Sequence, residues 1–186
     1  ALINVSDIDA QKDLISEADV FVTQLEQPMP AAMRGLQIAK KAGVTTILNP
    51  APAMELPIGM LKLCDYVTPN ETECEVLTGI AVANADDAEQ ACRVLCSKGV
   101  KTPIVTMGEQ GAYLSGHGVV PSVSIGSIVE TTGAGDAFNG AFAAALAENK
   151  SPLEAVRYGC ATAGISVTRA GTAPSMPTRD EVDLVL

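Results

Sequence analysis

The stretch ETTGAGDAFNGAFAAALAEN, residues 130–149, joins a loop with almost no side chains to a strongly apolar helix. Gly133 and Gly135 leave the loop amides uncovered, and a helix predicted from Ala134 to Asn149 would align its first free N–H groups at the same point. Amides gathered in this way bind a phosphate or an oxyanion. The loop is not a Walker loop, since no Lys-Ser/Thr pair follows it, and it does not match the dinucleotide pattern G-x-G-x-x-G.

Asp136 is the unexpected residue of this loop, because a fixed carboxylate repels a neighbouring anion unless it has a proton to remove. We therefore interpret Asp136 as a general base. The alternative is a helix cap, which would stabilise the helix by about 0.5–2 kcal/mol. The two roles can be separated by experiment, since Asn caps a helix as well as Asp does but is not a base.

The rest of the chain alternates short β-branched runs with longer helical ones, which predicts an α/β fold with a mostly parallel sheet and helices on its faces. A small antiparallel appendage is expected between Gly111 and Ile128. The predicted strands are Asp19–Leu25, Val44–Pro50, Asp65–Asn70 and Thr102–Gly108. The predicted helices cover residues 31–43, 57–64, 86–99, 134–149 and 151–169, with Gly43 and Gly99 ending the first and third.

Polar residues or glycine follow each predicted strand, namely Glu26, Asn49, Asn70 and Gly108. Because the carboxyl ends of parallel strands meet at one edge of a sheet, this pattern indicates a binding cleft there. Each residue also has a purely structural interpretation. Asn70 would cap the next helix while Glu73 completes its first turn, and Asn49 would begin a Pro turn.

Composition excludes several classes of protein. Twelve Lys and Arg against 22 Asp and Glu give a net charge of -10 without a basic cluster, which disfavours a nucleic-acid partner. Five cysteines at irregular spacings form no disulfide framework and indicate a reducing compartment. Cys92 and Cys96 share one helical face, but apolar packing is favoured over a metal site, since His117 is the one histidine. No apolar run approaches the roughly 20 residues that span a membrane.

Five motifs together resemble the ribokinase branch of the PfkB carbohydrate kinases. They are TTGAGDAFNG (131–140), TPNETE (68–73), NPAPA (49–53), TMGEQGAY (106–113) and GTAPSMP (171–177). The GAGD loop alone is typical of any PfkB kinase, whereas QLE (24–26), NPAPA and GTAPSMP favour the ribokinase branch. The resemblance implies a three-layer α/β/α fold and ATP-dependent phosphorylation of the 5-hydroxyl of D-ribose. It also implies Mg²⁺ as cofactor and a monovalent cation such as K⁺ as activator.

The resemblance assigns roles to individual residues. Asp136 would be the catalytic base, and Glu26 would contact a sugar hydroxyl. The anion hole would consist of the amides of Gly133, Ala134, Gly135 and Asp136. Asn70 and Glu73 would organise Mg²⁺ and the ATP phosphates through water. Residues expected at the nucleotide are Asn70, Thr106, Gly108, Gly111, Gly135, Cys160, Ala163 and Gly164.

A further set would hold the monovalent cation beside the anion hole. Its expected ligands are Glu130, Ser175 and the carbonyl groups of Thr132, Ser166, Arg169 and Gly171. The sequence departs from the family pattern at one of these positions, because Glu130 stands where the family has aspartate. The additional methylene group could move the carboxylate.

Family members carry an N-terminal segment that supplies the first strands of the sheet and a lid over the sugar. We therefore expect residues 1–186 to form a single ribokinase-like domain that is incomplete at its N-terminus, with an exposed strand edge near Asp19–Leu25. The complete protein is expected to be a cytoplasmic homodimer whose partners are a sugar and ATP, without nucleic acid or membrane. Two alternatives stay open: a PfkB kinase for deoxyribose, fructose or ketodeoxygluconate, and an inactive nucleotide-binding module.

Overall fold

The computed structural model of the chain describes residues 3–186. These residues divide into two compact units, the first ending at Val105 and the second running from Thr106 to Leu186. Among the described helices, none combines the length and the apolar composition that crossing a lipid bilayer requires.

The first unit contains a parallel sheet and its helices. Its strands are β1 Val20–Thr23, β2 Thr45–Leu48, β3 Tyr66–Val67 and β4 Thr102–Thr106, the last of which runs one residue past the unit's end. Its helices are α1 Val5–Ala10, α2 Lys12–Ser16, α3 Met29–Ala42, α4 Glu71–Thr78 and α5 Ala85–Ser97. Long connections of this kind, mostly through helices, are expected, because a tight hairpin cannot join two parallel strands.

The strands pair in parallel in chain order, and the carboxyl ends of β1, β2 and β3 are in register, whereas β4 runs on to Thr106. Thr23 lies opposite Leu48, Leu48 opposite Val67, and Val67 opposite Pro103. Strand β1 pairs with β2 alone among the described residues, and the side chain of Val22 on this edge strand is largely exposed. An exposed edge at β1 is what the sequence predicts.

Helix α3 illustrates how the sequence fixes an element. Pro30 lies in its first turn, and Gly43 ends it in the left-handed conformation with φ of 81°. Gly35 allows a close approach to the sheet, since a Cβ atom there would lie 2.4 Å from Cζ of Phe21. The buried face of the helix comprises Ala31, Ala32, Gly35, Leu36, Ile38 and Ala39.

Asp65 connects β2 to the start of β3. Its Oδ2 accepts the N–H of Thr46 at 3.1 Å, its own N–H donates to Thr46 Oγ1 at 2.9 Å, and its Oδ1 lies 2.8 Å from Lys40 Nζ. Burial alone would raise the pKa of the Asp65 carboxyl, but the hydrogen bonds from Lys40 and Thr46 outweigh burial and lower it below its ordinary value of 3.8.

The second unit contains two long helices and a hairpin. Its elements are β5 Ala112–Leu114, β6 Gly118–Val120, α6 Ala134–Ala147, α7 Pro152–Ser166 and α8 Arg179–Asp183. Strands β5 and β6 are antiparallel, with Ala112 opposite Val120. Phe138 and Phe142 of α6 are buried. A Cβ atom at Gly159 of α7 would lie 2.7 Å from the Phe138 ring, so this glycine sets how closely α6 and α7 pack.

Most of the predicted elements are confirmed, but one helix is wrong. Residues 57–64 contain only a 3-10 helix, Leu61–Leu63, because Gly59 adopts a left-handed φ of 87°, which interrupts an α-helix. The hairpin strands end at Val120, and residues 121–128 have no regular secondary structure. Helix α7 ends at Ser166 instead of Arg169. The short helices α1, α2 and α8 are not predicted by the sequence.

The histidine and the cysteine pair differ in exposure. His117 is exposed in its glycine-rich turn. Cys92 is buried, whereas Cys96 is exposed, so the prediction that both thiols pack into the core is wrong for Cys96. The helical face that they share lies at the boundary of the core and not within it.

We expect Gly159→Ala to lower the free energy of unfolding by about 1–3 kcal/mol, because the new methyl group would overlap the Phe138 ring. Gly140→Ala is the matched control in α6, since a Cβ atom there has no heavy atom within 4 Å. That control should stabilise the protein by about 0.5–1 kcal/mol through helix propensity. Urea unfolding of both variants measures the difference, and equal stabilities would contradict the packing described.

Asp65→Ala should lower the free energy of unfolding by about 1–3 kcal/mol at neutral pH, because the buried N–H of Thr46 loses its acceptor. A carboxyl with a lowered folded pKa stabilises the protein above its unfolded pKa and loses that effect as the pH falls below 3.8. The difference from the wild type should therefore shrink in acid. Glu89→Ala, which removes an exposed ion pair with Arg93, should show neither effect in the same unfolding experiments.

Candidate active site

Helix α6 begins without a side-chain cap. Its N-cap residue is Gly133, at φ of 82°, and no side chain accepts a hydrogen bond from the first turn. The amides of Gly133, Gly135 and Asp136 donate to no acceptor among residues 3–186. The first turn therefore presents free N–H groups at the positive end of the helix dipole, as an anion site requires.

The prediction for Ala134 needs a correction. Its N–H donates to the carbonyl of Thr131 at 3.1 Å, which closes a turn directly before the helix. The Ala134 amide is therefore occupied and is not one of the free donors. The turn orients the neighbouring amides instead.

Asp136 lies in the first turn of α6 with its side chain exposed. Its carboxylate has no hydrogen-bond or ion-pair partner among the described residues, so it does not cap the helix. Asn139 Nδ2 donates to the carbonyl of Gly135 at 2.9 Å, which fixes the backbone beside it. A free carboxylate next to free amides can accept a proton from a bound hydroxyl group while the amides bind an anion.

Asp136 also lines a groove of about 290 Å³ along α6. Tyr158 and Thr162 of α7 and residues 176–179 form its other walls. Arg179 is the cationic residue of this lining, and its guanidinium is already bound to Glu148, Asp183 and Tyr158. The groove therefore offers no free cation to an anionic ligand.

Residues 167–172 closely approach the turn at residues 131–136, which we call the anion-binding turn because an anion is predicted to bind there. A Cβ atom on Gly133 would lie 3.2 Å from Cγ2 of Thr172, so a glycine is needed here for both its conformation and its size. Oε2 of Glu130 accepts the N–H of Gly171 at 2.8 Å. The N–H groups of Val129 and Glu130 donate to the carbonyl of Val167 at 2.8 and 3.2 Å. Residues 129–133 thus lie beside residues 167–172.

This contact brings together most of the predicted ligands of the monovalent cation. The donors are one carboxylate and several carbonyl groups, without thiolate or imidazole, which suits a hard cation. The Ser166 carbonyl already accepts the N–H of Arg169 at 3.1 Å, and a carbonyl oxygen retains a second lone pair. Ser175 is buried, and its hydroxyl donates to the carbonyl of Thr172 at 2.6 Å. Thr132 is exposed.

Three of the residues predicted at the nucleotide, Gly111, Cys160 and Gly164, lie against a single segment, Val120–Val123. A Cβ atom at Gly111 would lie 2.1 Å from the carbonyl oxygen of Val120, and one at Gly164 would lie 1.9 Å from that of Val123. Cys160 Sγ lies 3.9 Å from the Val120 carbonyl oxygen. Burial raises the pKa of the Cys160 thiol to about 12, so the group stays neutral and apolar.

The turn at residues 107–111 contacts the same segment. Met107 N–H donates to the carbonyl of Gly111 at 2.8 Å, and the hydroxyl of Ser122 donates to the carbonyl of Glu109 at 2.6 Å. Gly108 in this turn is exposed, while Thr106 before it and Ala163 of α7 are half-buried.

In the first unit, polar residues follow three strands along one sheet edge, as the register of those strands requires. Glu26 follows β1 and is exposed, with its N–H and carboxylate bound to the Gln24 side chain. Asn49 follows β2 and extends the ladder, since its N–H donates to the Thr23 carbonyl at 2.9 Å. Asn70 follows β3.

Asn70 and Glu73 form a reciprocal capping box at the start of α4. Asn70 Oδ1 accepts the N–H of Glu73 at 2.9 Å, and Glu73 Oε2 accepts the N–H of Asn70 at 2.9 Å. Glu73 Oε1 accepts from Asn70 Nδ2 at 3.1 Å. Burial raises the pKa of the Glu73 carboxyl above its usual range, and the hydrogen bond from the Asn70 N–H offsets only part of the rise.

The prediction that Asn70 and Glu73 cap α4 is therefore confirmed. Each Glu73 oxygen accepts one hydrogen bond and retains a further lone pair, which can bind a water molecule or a metal ion. Across residues 3–186, His, Cys, Asp and Glu side chains form no group of three or more that could hold a metal directly.

The sequence did not single out Thr172 or Glu181. Thr172 contacts Gly133 through a tertiary approach that leaves no local pattern. Glu181 has a local signal, because Thr178-x-x-Glu181 is a capping box, which the structure forms at the start of α8. Its second contact, with Arg169, is not visible in that pattern.

Comparison with known proteins agrees with this geometry. Residues 3–179 match the profile of the pfkB family carbohydrate kinases. The chain is 45% identical over 170 residues to a ribokinase of Haemophilus influenzae, a match that covers 90% of this chain and 55% of that protein. It is 37% identical over 179 residues to a deoxyribokinase of Salmonella typhi, covering 94% of this chain and 58% of that protein.

Solved structures give the same result for the fold. Arabidopsis thaliana ribokinase complexed with ribose and ATP matches with a TM-score of 0.90 and 33% identity, over 95% of this chain and 58% of that chain. Ribokinase from Thermotoga maritima matches with a TM-score of 0.83 and 38% identity, over 94% of this chain and 58% of that chain. The chain thus spans little more than half the length of these relatives and has the ribokinase-like α/β fold. It belongs to the pfkB family of carbohydrate kinases.

Proposed function

We propose that the protein transfers the γ-phosphoryl group of ATP to the 5-hydroxyl of D-ribose, giving ribose 5-phosphate and ADP. The observation that carries the proposal is the partnerless, exposed carboxylate of Asp136 beside the free amides of Gly133, Gly135 and Asp136 itself. The 45% identity to the ribokinase of Haemophilus influenzae supports ribose as the acceptor.

In the proposed reaction Asp136 removes the proton from the sugar hydroxyl as its oxygen attacks phosphorus. A bond forms between that oxygen and the γ-phosphorus, the bond to the bridging oxygen of ADP breaks, and the proton passes to the carboxylate. General-base catalysis of this kind contributes about 10²–10⁴-fold in rate. The transition state is loose, so positioning and charge stabilisation supply most of the remaining acceleration.

The free amides stabilise the charge on the migrating phosphoryl group. Loss of one such donor raises the barrier by about 2.7–4 kcal/mol. The dipole of α6 adds only about 0.3–1 kcal/mol near an exposed terminus. The individual N–H groups of Gly133, Gly135 and Asp136 therefore matter more than the helix as a whole.

Thr106, the turn at Gly108–Gly111 and the wall of α7 at Cys160 and Ala163 are the proposed contacts of the nucleotide. Their support is that Gly111, Cys160 and Gly164 lie against the same segment, Val120–Val123, so one short stretch of chain joins the turn to the wall of α7. Asn70, at the start of α4, is proposed as a nucleotide contact of the first unit.

Two cations belong to the proposal. Glu73 would hold Mg²⁺ through water, because Mg²⁺ keeps several of its water ligands and binds few protein groups directly. Glu130, Ser175 and the carbonyls of Thr132, Ser166, Arg169 and Gly171 would hold K⁺. When bound, these ions neutralise charge on the phosphates and beside the anion site.

Deoxyribose is the second candidate acceptor, favoured by the 37% identity to a deoxyribokinase. Glu26 is the proposed contact of a sugar hydroxyl in either case, since it is exposed at the carboxyl end of β1. We extend the proposal to a cytoplasmic location, because all five cysteines are free thiols, which a reducing compartment favours.

Asp136→Asn should lower kcat by about 10²–10⁴-fold with an unchanged melting temperature, because the side chain is exposed and makes no cap. Initial rates of ADP release with ribose and thermal unfolding measure the two effects. Asp87→Asn is the matched control, since Asp87 lies in the first turn of α5 and there accepts the N–H of Ala83. A D136N variant with wild-type turnover would refute the proposal that Asp136 is the general base.

A screen of acceptors identifies the substrate. We expect kcat/KM with D-ribose to exceed that with 2-deoxyribose by about 10-fold or more, since a hydrogen bond from a hydroxyl to a charged group contributes about 1.5–3 kcal/mol. Fructose and ketodeoxygluconate should be poorer still. A preference for deoxyribose would favour the second candidate, while calorimetric ATP binding with no sugar-dependent ADP release would favour a non-catalytic module.

A further inference from the structure

An ion pair closes the segment that lies behind the anion-binding turn. Arg169 follows the end of α7, and its Nη2 lies 2.5 Å from Oε1 of Glu181 in α8. A second guanidinium nitrogen, Nη1, lies 3.4 Å from Oε2 of the same carboxylate. Residues 169–181, which we call the clamp segment, therefore have both ends joined by one contact.

Both ends of the clamp segment are anchored to α7. Arg169 N–H donates to the carbonyl of Ser166 in the last turn of α7. Val182, next to Glu181, is buried in an apolar cluster with Ala161 and Ile165 of the same helix. The ion pair thus spans two points on a single rigid support.

The middle of the clamp segment meets the anion-binding turn at two points. Gly171 donates its N–H to the Glu130 carboxylate at 2.8 Å, and Thr172 stands where a Cβ atom on Gly133 would lie only 3.2 Å away. Between these contacts and α8 the segment is mostly exposed, with Ala173 and Pro174 on the surface and Ser175 buried. The 3-10 helix Ala173–Ser175 and the hydrogen bond from Ser175 to Thr172 are contacts within the segment, so neither joins its two ends as the ion pair does.

We propose that Arg169 and Glu181 are positioning residues that hold Gly171 and Thr172 against the turn presenting the free amides of Gly133, Gly135 and Asp136. This inference rests on the proposed function, because it concerns the orientation of donors for a phosphoryl group. Neither side chain touches the reacting atoms. Their effect is carried by the clamp segment.

The expected energies indicate that the pair of Arg169 and Glu181 acts on the position of nearby residues more than on the stability of the whole protein. The two side chains are 34% and 42% exposed, and ion pairs at such sites stabilise a protein little. Catalytic donors, in contrast, are sensitive to small displacements, since a misplacement of about 1 Å can lower a rate by about 10²-fold. Loss of the pair should therefore affect turnover far more than melting temperature.

Glu181→Gln is the decisive variant, because Gln can still form the capping box with Thr178 and so keeps α8 intact. We expect kcat to fall roughly 10- to 100-fold, with KM for ATP and the melting temperature nearly unchanged. Hydrogen exchange of a peptide covering residues 170–176 should become faster. Arg169→Gln should behave in the same way, and the double variant should be no worse than either single variant.

Glu148→Gln is the matched control. Glu148 also binds α8, through Arg179 at 2.6 Å and with similar exposure, but this pair joins α8 to the end of α6 and does not connect the two ends of the clamp segment. It should leave both kcat and exchange of residues 170–176 unchanged. An equal fall in kcat for this variant, or additive losses for the double variant at residues 169 and 181, would overturn the inference.

Hydrogen exchange separates this inference from the proposed function. If the unsubstituted native protein transferred no phosphoryl group to any sugar, the proposed function would fail, while faster exchange in E181Q alone would still support the clamp. Unchanged exchange in E181Q would overturn the clamp, whatever the activity.

Discussion

The candidate site depends on a helix that starts without a cap. Most helices satisfy their first N–H groups with a side chain, as Asn70 does for α4 and Thr178 for α8. Helix α6 has glycine at that position instead, so three amides remain free among the described residues. This arrangement lowers the stability of the helix terminus and leaves donors for a ligand. The bond from Ala134 to Thr131 and the contact between Gly133 and Thr172 keep the uncapped turn in one conformation.

Short patterns in the sequence predicted correctly those features that depend on residues close together in the chain. Alternating strand and helix periods predicted the parallel sheet, and Gly43 marked the end of α3. The spacing of Asn70 and Glu73 indicated the capping box, and the glycines around Ala134 indicated an uncovered helix start. The free state of Asp136 followed from a chemical argument, since a cap and a base make opposite demands on the same carboxylate. In the structure the Asp136 side chain makes no cap, and its role as base stays a prediction.

Features that depend on distant contacts could not be predicted. The occupied amide of Ala134 depends on the turn geometry at Thr131, and the broken helix at residues 57–64 reflects the backbone conformation of Gly59. The pairing of Arg169 with Glu181 requires α7 and α8 to pack first. Likewise, the glycines at positions 111 and 164 read as ordinary flexible residues until their approach to the Val120 and Val123 carbonyls is seen.

Asp136 has no partner within the described protein, and this has a consequence for which acceptors the family can use. No hydrogen bond within that part of the chain fixes its rotamer, so part of the conformational entropy of its two side-chain torsions would be lost when the proposed substrate binds. A carboxylate with that freedom can follow hydroxyl groups presented at slightly different angles by different sugars. In the proposed reaction, discrimination between acceptors would then belong to residues elsewhere in the protein, and changes there would alter the substrate while Asp136 remained the proton acceptor.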